Sequence, residues 1–311
     1  MKAMFVTALF MTASVNVFAQ TSTVKLNATE QQPAGESVLK VDQVSGNKKF
    51  EADKDITDAK LKADSGSLSR YSLKFSLSYY GPPVGDISNR KQPNPDGSIG
   101  SNDTALGGAI SARYRLNSKS AISLGTGINA RTPFHGTEQA DVKNPFLGID
   151  YSSRLGDVQM RNSGSVEAAT VPEYREVGQY AGLDLKNSLV YNIGTSGFAL
   201  GLDTSLNYFL YERGYEPKDR TAGRYVLSFY PEVKYNVSDK LNLSTSLAVK
   251  FLNPRARTSE ADLLNRTLTS RIGMGYAFTR DIYFAPNLNF YPNDFAWEST
   301  TVNFSTIFSV L

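Results

Sequence analysis

The sequence predicts an all-β chain folded as a single antiparallel transmembrane β-barrel, with twelve strands as the favoured count and ten as the alternative. Three observations predict it. The first is long alternation between Gly223 and Leu252. Tyr225, Leu227, Phe229, Pro231, Val233, Tyr235 and Val237 share one face, opposite Arg224, Val226, Ser228, Tyr230, Glu232, Lys234 and Asn236. After Ser238, Asp239 and Lys240, the residues Leu241, Leu243, Thr245, Leu247, Val249 and Phe251 repeat the pattern against Asn242, Ser244, Ser246, Ala248, Lys250 and Leu252. Period two is the mark of a strand. These arms exceed the about five or six residues of an ordinary half-buried strand and match the roughly 9–11 of a strand crossing a bilayer. The second observation is rhythm: short turns alternate with long polar loops, so the strand number is even and both barrel ends lie on the turn side. The third is placement, because Tyr225 and Tyr235 bracket the apolar face as aromatic girdles at two lipid–water interfaces would.

Composition narrows the class further. The 311 residues are 41% hydrophobic, with a mean hydropathy of -0.31. Beyond the N-terminus no run approaches the roughly 18 apolar residues of a helical span. Lys2, the apolar run Met4 to Val17 and the sequence Val17-Phe18-Ala19 predict a secretory signal peptide over residues 1–19, cut after Ala19. With no cysteine, a disulfide framework, a thiolate metal site and a lipoprotein attachment point are all excluded. A net charge of +3 argues against nucleic acid as a partner.

Residues 20–69 have few large apolar side chains and many charges of both signs, and are expected to be a flexible polar periplasmic segment. The apolar stripe of Ile56, Ala59 and Leu61 is thin for a helix over Glu51 to Ala63; the alternative is a tail that folds into the barrel lumen or touches a periplasmic partner. The barrel is expected over 70–311. Its first strand runs from Arg70, with Tyr71, Leu73, Phe75, Leu77 and Tyr79 outward. Gly81 to Asp103 is an external loop, Thr104 to Leu116 the second strand, Asn117 to Ala121 a turn, and Ile122 to Arg131 the third strand. Thr132 to Glu176 reads as one large loop or as two loops around an extra hairpin. Leu147, Ile149 and Tyr151 alternate before the turn Leu155-Gly156-Asp157, and Val158 and Met160 resume, which favours the hairpin and twelve strands. Val177 to Tyr191, the turn Gly194 to Gly197, and the strand from Phe198 follow, then the loop Glu212 to Ala222 and the long hairpin. After the loop Asn253 to Arg266, strands around Leu268 to Phe278 and Ile282 to Phe290 are joined by Thr279-Arg280-Asp281. Pro292 to Glu298 is the last external loop, and Val302, Phe304, Thr306, Phe308 and Val310 form the final outer face.

On this rhythm and these tyrosine-bracketed strands, the stretch Arg70 to Leu311 resembles bacterial outer-membrane β-barrel proteins as a class. Leu311 departs from it, since such chains typically end on an aromatic residue in the lipid-facing phase, which here is held by Phe304 and Phe308. The resemblance implies a Gram-negative outer membrane as location, with its lipid and the barrel-assembly machinery as partners.

No constellation carries chemistry. His135 is the one histidine and has no identifiable partner to orient it, so no catalytic residue, metal site or cofactor is expected and the chain does not read as an enzyme. Gly125-Thr126-Gly127 and Gly273-Met274-Gly275 lie inside strands, where packing or bending of the wall accounts for them. What remains is the inner face. Lys74, Arg113, Arg115, Arg131, Lys186, Arg224, Lys234, Lys250 and Arg271 have inward parity, against Asp184, Asp203 and Glu232. These twelve are the expected pore-lining residues. Two readings stand side by side: a small porin-like channel whose basic lumen mildly favours anions and passes small anionic solutes, and a closed-lumen structural or surface-contact protein, adhesin- or receptor-like. In the closed reading Lys186 lies diagonal to Asp203, within reach of an ion pair.

Overall fold

The computed structural model describes residues 49–51, 54–95, 97–214, 223–255, 264–293 and 295–310. In chain order these form α1 (Ala59–Asp64), β1 (Tyr71–Pro83), β2 (Lys91–Pro93), β3 (Ile99–Asp103), β4 (Ala105–Arg115), β5 (Ser120–Arg131), β6 (Gln139–Leu155), β7 (Val158–Ala168) and α2 (Pro172–Glu176). They continue with β8 (Gln179–Asn192), β9 (Phe198–Tyr211), β10 (Gly223–Asn236), β11 (Leu241–Pro254), β12 (Leu264–Thr279), β13 (Ile282–Phe290) and β14 (Thr301–Val310). β2 and β3 pair with each other in the first long loop, and the other twelve strands close into one barrel. Closure joins the chain ends: β1 sets Leu73 opposite Val310 and Tyr79 opposite Phe304 on β14, and Tyr71 opposite Tyr114 on β4. A closed antiparallel ladder leaves no strand edge, which is the condition for carrying β structure through a bilayer.

Side-chain parity follows the alternation. Leu147, Ile149, Leu185, Leu200, Val233, Leu243, Leu247 and Ile272 are exposed on the outer surface, while Ser111, Arg113, Ser228, Lys234 and Asn242 are buried within. The stretch 132–176 contains the extra hairpin, β6 and β7, turning at Gly156 with φ of 57°. The wall glycines serve packing: a Cβ on Gly275 would stand 1.7 Å from the Tyr283 hydroxyl, so the missing side chain makes room for an inward tyrosine. The long loops are less bare than expected. β1 continues to Pro83 and β11 to Pro254, and the first loop carries the β2/β3 ribbon.

The signal-peptide reading and residues 20–48 lie outside the described residues, as does Leu311. The expectation of a flexible segment therefore meets the described structure only at its end, and there the alternative applies. Residues 54–69 fold inside the wall. Asp58 caps α1, accepting from the Leu61 N–H at 2.9 Å. Ile56 and Leu61 pack on Val190 and Ala199, and Ala63 packs on Ala277, Tyr283 and Ile307. Burying a leucine of this kind contributes roughly 1.5–3 kcal/mol, so even a thin stripe holds once a wall surrounds it.

Candidate functional site

The lumen is the candidate site, and residues 54–69 are its plug. The Oε1 of Gln159 on β7 accepts the backbone N–H groups of Thr57 and Asp58 at 2.6 and 2.9 Å. Lys234 on β10 reaches Asp58 at 3.3 Å, Lys60 reaches Asp203 on β9 at 2.8 Å, and Lys74 on β1 reaches Asp64 at 3.2 Å. Arg113 on β4 donates to the Ser65 carbonyl at 2.6 Å, Arg115 to that of Ser67 at 2.7 Å, and Arg280 to that of Gly66 at 2.9 Å. Bonds to strands all round a closed wall, made by inward side chains, hold the segment in the lumen. Arg115, Gln159, Ala199 and Arg280 stand near short turns, so the plug occupies the turn-side half.

Electrostatics fasten it. The pair of Lys234 and Asp58 is nearly fully buried, at 1% and 4% side-chain exposure. Breaking such a pair by removing one partner costs roughly 3–5 kcal/mol, because the other charge stays buried. Burial alone would raise the Asp64 carboxyl, but the positive charges of Lys74, Arg161 and Lys60 hold it well below the usual carboxylate range. Lys60 is raised well above its ordinary value, chiefly by the Asp203 charge and against the effect of burial. At the entrance, Asp55 is lowered by a hydrogen bond from Lys119 and by its charge.

The twelve residues expected to line a pore divide between plug and hollow. Lys74, Arg113, Arg115 and Lys234 are buried against the plug. Glu232 lies 3.5 Å from Lys234. Lys186 does not pair with Asp203 as expected: the plug's Lys60 takes Asp203, and Lys186 bonds Asp184, two residues away on its own inward face, at 2.7 Å. Lys250 and Arg271 line a cavity toward the long loops. Arg224 is half-buried on β10, and Arg131 is exposed at the loop end of β5. Sequence reasoning missed Asp150, which receives Arg113 at 2.7 Å and also Arg161, and it missed the plug's Asp58, Lys60 and Asp64.

Beyond the plug the lumen stays hollow. One cavity of about 380 Å³ lies over the plug between Lys60, Asp64, Arg161, Asp203, Glu232 and Arg271. Another, of about 630 Å³, is bounded by Lys143, Glu167, Tyr174, Asp184, Lys186 and Tyr211, and Lys186 borders both. His135 Nε2 lies 3.1 Å from the Ile87 carbonyl in the outer loops, away from both cavities. Among the described residues no three His, Asp or Glu side chains gather where a metal would sit.

No family model matches the chain, and no curated protein matches it. Among solved structures, an outer membrane channel from Pseudomonas putida F1 is 14% identical with a TM-score of 0.51, covering 79% of this chain and 98% of that one. A NanC porin is 8% identical with a TM-score of 0.41, covering 77% and 100%, and OmpF of Salmonella typhi in complex with daunomycin is 7% identical with a TM-score of 0.37, covering 77% and 97%. What the first likeness establishes, together with the closed twelve-strand wall, is the fold: this chain has that of an outer-membrane β-barrel.

Proposed function

We propose that the protein is an outer-membrane channel for small solutes with a mild preference for anions, its turn-side half filled by residues 54–69. The carrying observation is the hollow over the plug, cavities of about 380 and 630 Å³ sharing Lys186, in a lumen that a purely structural barrel would pack shut. The anion preference is supported by how the charges divide. Turn-side cations meet Asp58, Asp64 and Asp150, whereas Lys250 lines, with Arg271, a cavity that carries no carboxylate among its described residues; Arg271 also borders the cavity over the plug. A fixed positive charge beside a narrow path lowers the energy of a passing anion. On this reading the partners are outer-membrane lipid, the assembly machinery during biogenesis and small anionic solutes, with the turn side facing the periplasm.

The buried plug contacts favour the second reading, a closed structural or surface-contact barrel. Reversal potentials of the full-length protein in planar bilayers under asymmetric potassium chloride decide between them. A current preferring chloride, with that preference reduced in Lys250→Glu, supports the channel. A folded, inserted protein that carries no current overturns it in favour of the closed barrel.

A further inference from the structure

The inner wall holds a second lattice of side chains, on the far side of the hollow from Asp184 and Lys186. Strand registers set Arg271 opposite Asn289, Asn289 opposite Thr301, Asn287 opposite Asn303, and Asn303 opposite Tyr80. Lys250 shares the inward face of β11, and all of these line one cavity of about 190 Å³. Its chemistry differs from the rest of the lumen. Its described lining has two cations, three asparagines and several hydroxyls, with no aspartate or glutamate. Asn303 is already spoken for, since its Oδ1 accepts the Gly81 N–H at 2.9 Å and its amide donates to Thr301. Arg271 Nε, Asn287 Oδ1 and Asn289 Oδ1 are buried atoms that bond no protein group.

A buried polar atom left without a partner is destabilising, and Arg271, Asn287 and Asn289 all line this cavity, so their one donor and two acceptors describe what would complete it. The guanidinium of Arg271 presents a planar fork that fits a carboxylate, and Lys250 adds a second positive charge. The two free amide oxygens set the remaining requirement. They accept hydrogen bonds and would repel a halide, find at most one or two P–OH donors on inorganic phosphate, and suit several hydroxyls, which donate as well as accept. We propose that this cavity binds a small hydroxylated carboxylate of the sugar-acid class, its carboxylate on Arg271 and Lys250 and its hydroxyls on Asn287, Asn289 and Thr301. The inference rests on the channel reading, for which it supplies the solute class.

Calorimetric titration of the full-length protein in detergent tests it, with D-glucuronate, D-glucose and inorganic phosphate as probes. Glucuronate should bind saturably, and glucose and phosphate each about tenfold more weakly or worse, the loss expected when one charge-assisted contact goes. Arg271→Gln and Lys250→Gln should each weaken glucuronate by about tenfold; Lys250 is exposed to the hollow, so its variant folds even if the other does not. No heat with glucuronate, equal affinity for phosphate, or glucuronate binding indifferent to both substitutions would overturn the site. A chloride-preferring current with no glucuronate binding removes this inference and leaves the channel. Glucuronate binding without any current removes the channel and leaves the site.

Discussion

Gly66 sits where the plug turns back toward β1, with φ of 70°, and a Cβ there would lie 1.8 Å from Nη1 of Arg113. Both facts forbid a side chain. A left-handed backbone costs an ordinary residue about 1–2 kcal/mol, and the clash pushes aside a guanidinium that also holds the Ser65 carbonyl and Asp150. Gly66→Ala should therefore loosen the plug while leaving the wall intact. The expected outcome is faster tryptic cleavage at Lys60 or Lys62 and a larger single-channel current, with an unchanged β signal in circular dichroism. Unaltered cleavage and current would mean that Gly66 does not hold the plug in place.

Strands were the legible elements, because each carries its own evidence in every second residue. Phe229 stands outward near the middle of β10, opposite Thr204 and Val249, whereas Ser246 faces the cavity over the plug. Phe229→Arg should cost roughly 2–4 kcal/mol near the bilayer midplane, and Ser246→Arg far less, measured as the shift in urea unfolding from lipid vesicles; equal costs would refute the parity. The hairpin of β6 and β7 was readable for the same reason, in Leu147, Ile149 and Tyr151. The plug was not. Its partners are distant, with Lys60 and Asp203 separated by 143 positions and Asp58 and Lys234 by 176, and no local period records such pairs. Lys186 was consequently matched with Asp203 on the neighbouring strand, since the competitor Lys60 is invisible to cross-strand geometry. One signal was available: Asp55, Asp58 and Asp64 stand just ahead of the barrel, and these are the carboxylates that meet Lys119, Lys234 and Lys74 of the wall.

For the whole molecule, the ionic fastening makes occupancy of the lumen depend on pH. Asp64 is held low by Lys74 on β1, Arg161 on β7 and Lys60 beside it, and Asp55 by Lys119 and Arg154 at the turns. A carboxyl whose pKa is lower in the folded state stabilises that state above its unfolded value, near 4, and the contribution fades as pH falls through the lowered value. Lys60 is raised, so its contribution is complete below its ordinary value of 10.5 and fades only as pH climbs beyond it. These contacts therefore hold the plug at neutral pH and weaken on the acid side. Channel current should be small near neutral pH and rise as pH falls below about 4. Asp64→Asn with Asp55→Asn should bring the larger current to neutral pH and flatten the acid rise, because the groups that titrate have been replaced by amides that cannot. An acid rise that persists unchanged in the double variant would assign the pH response to other carboxylates and detach it from these two plug contacts.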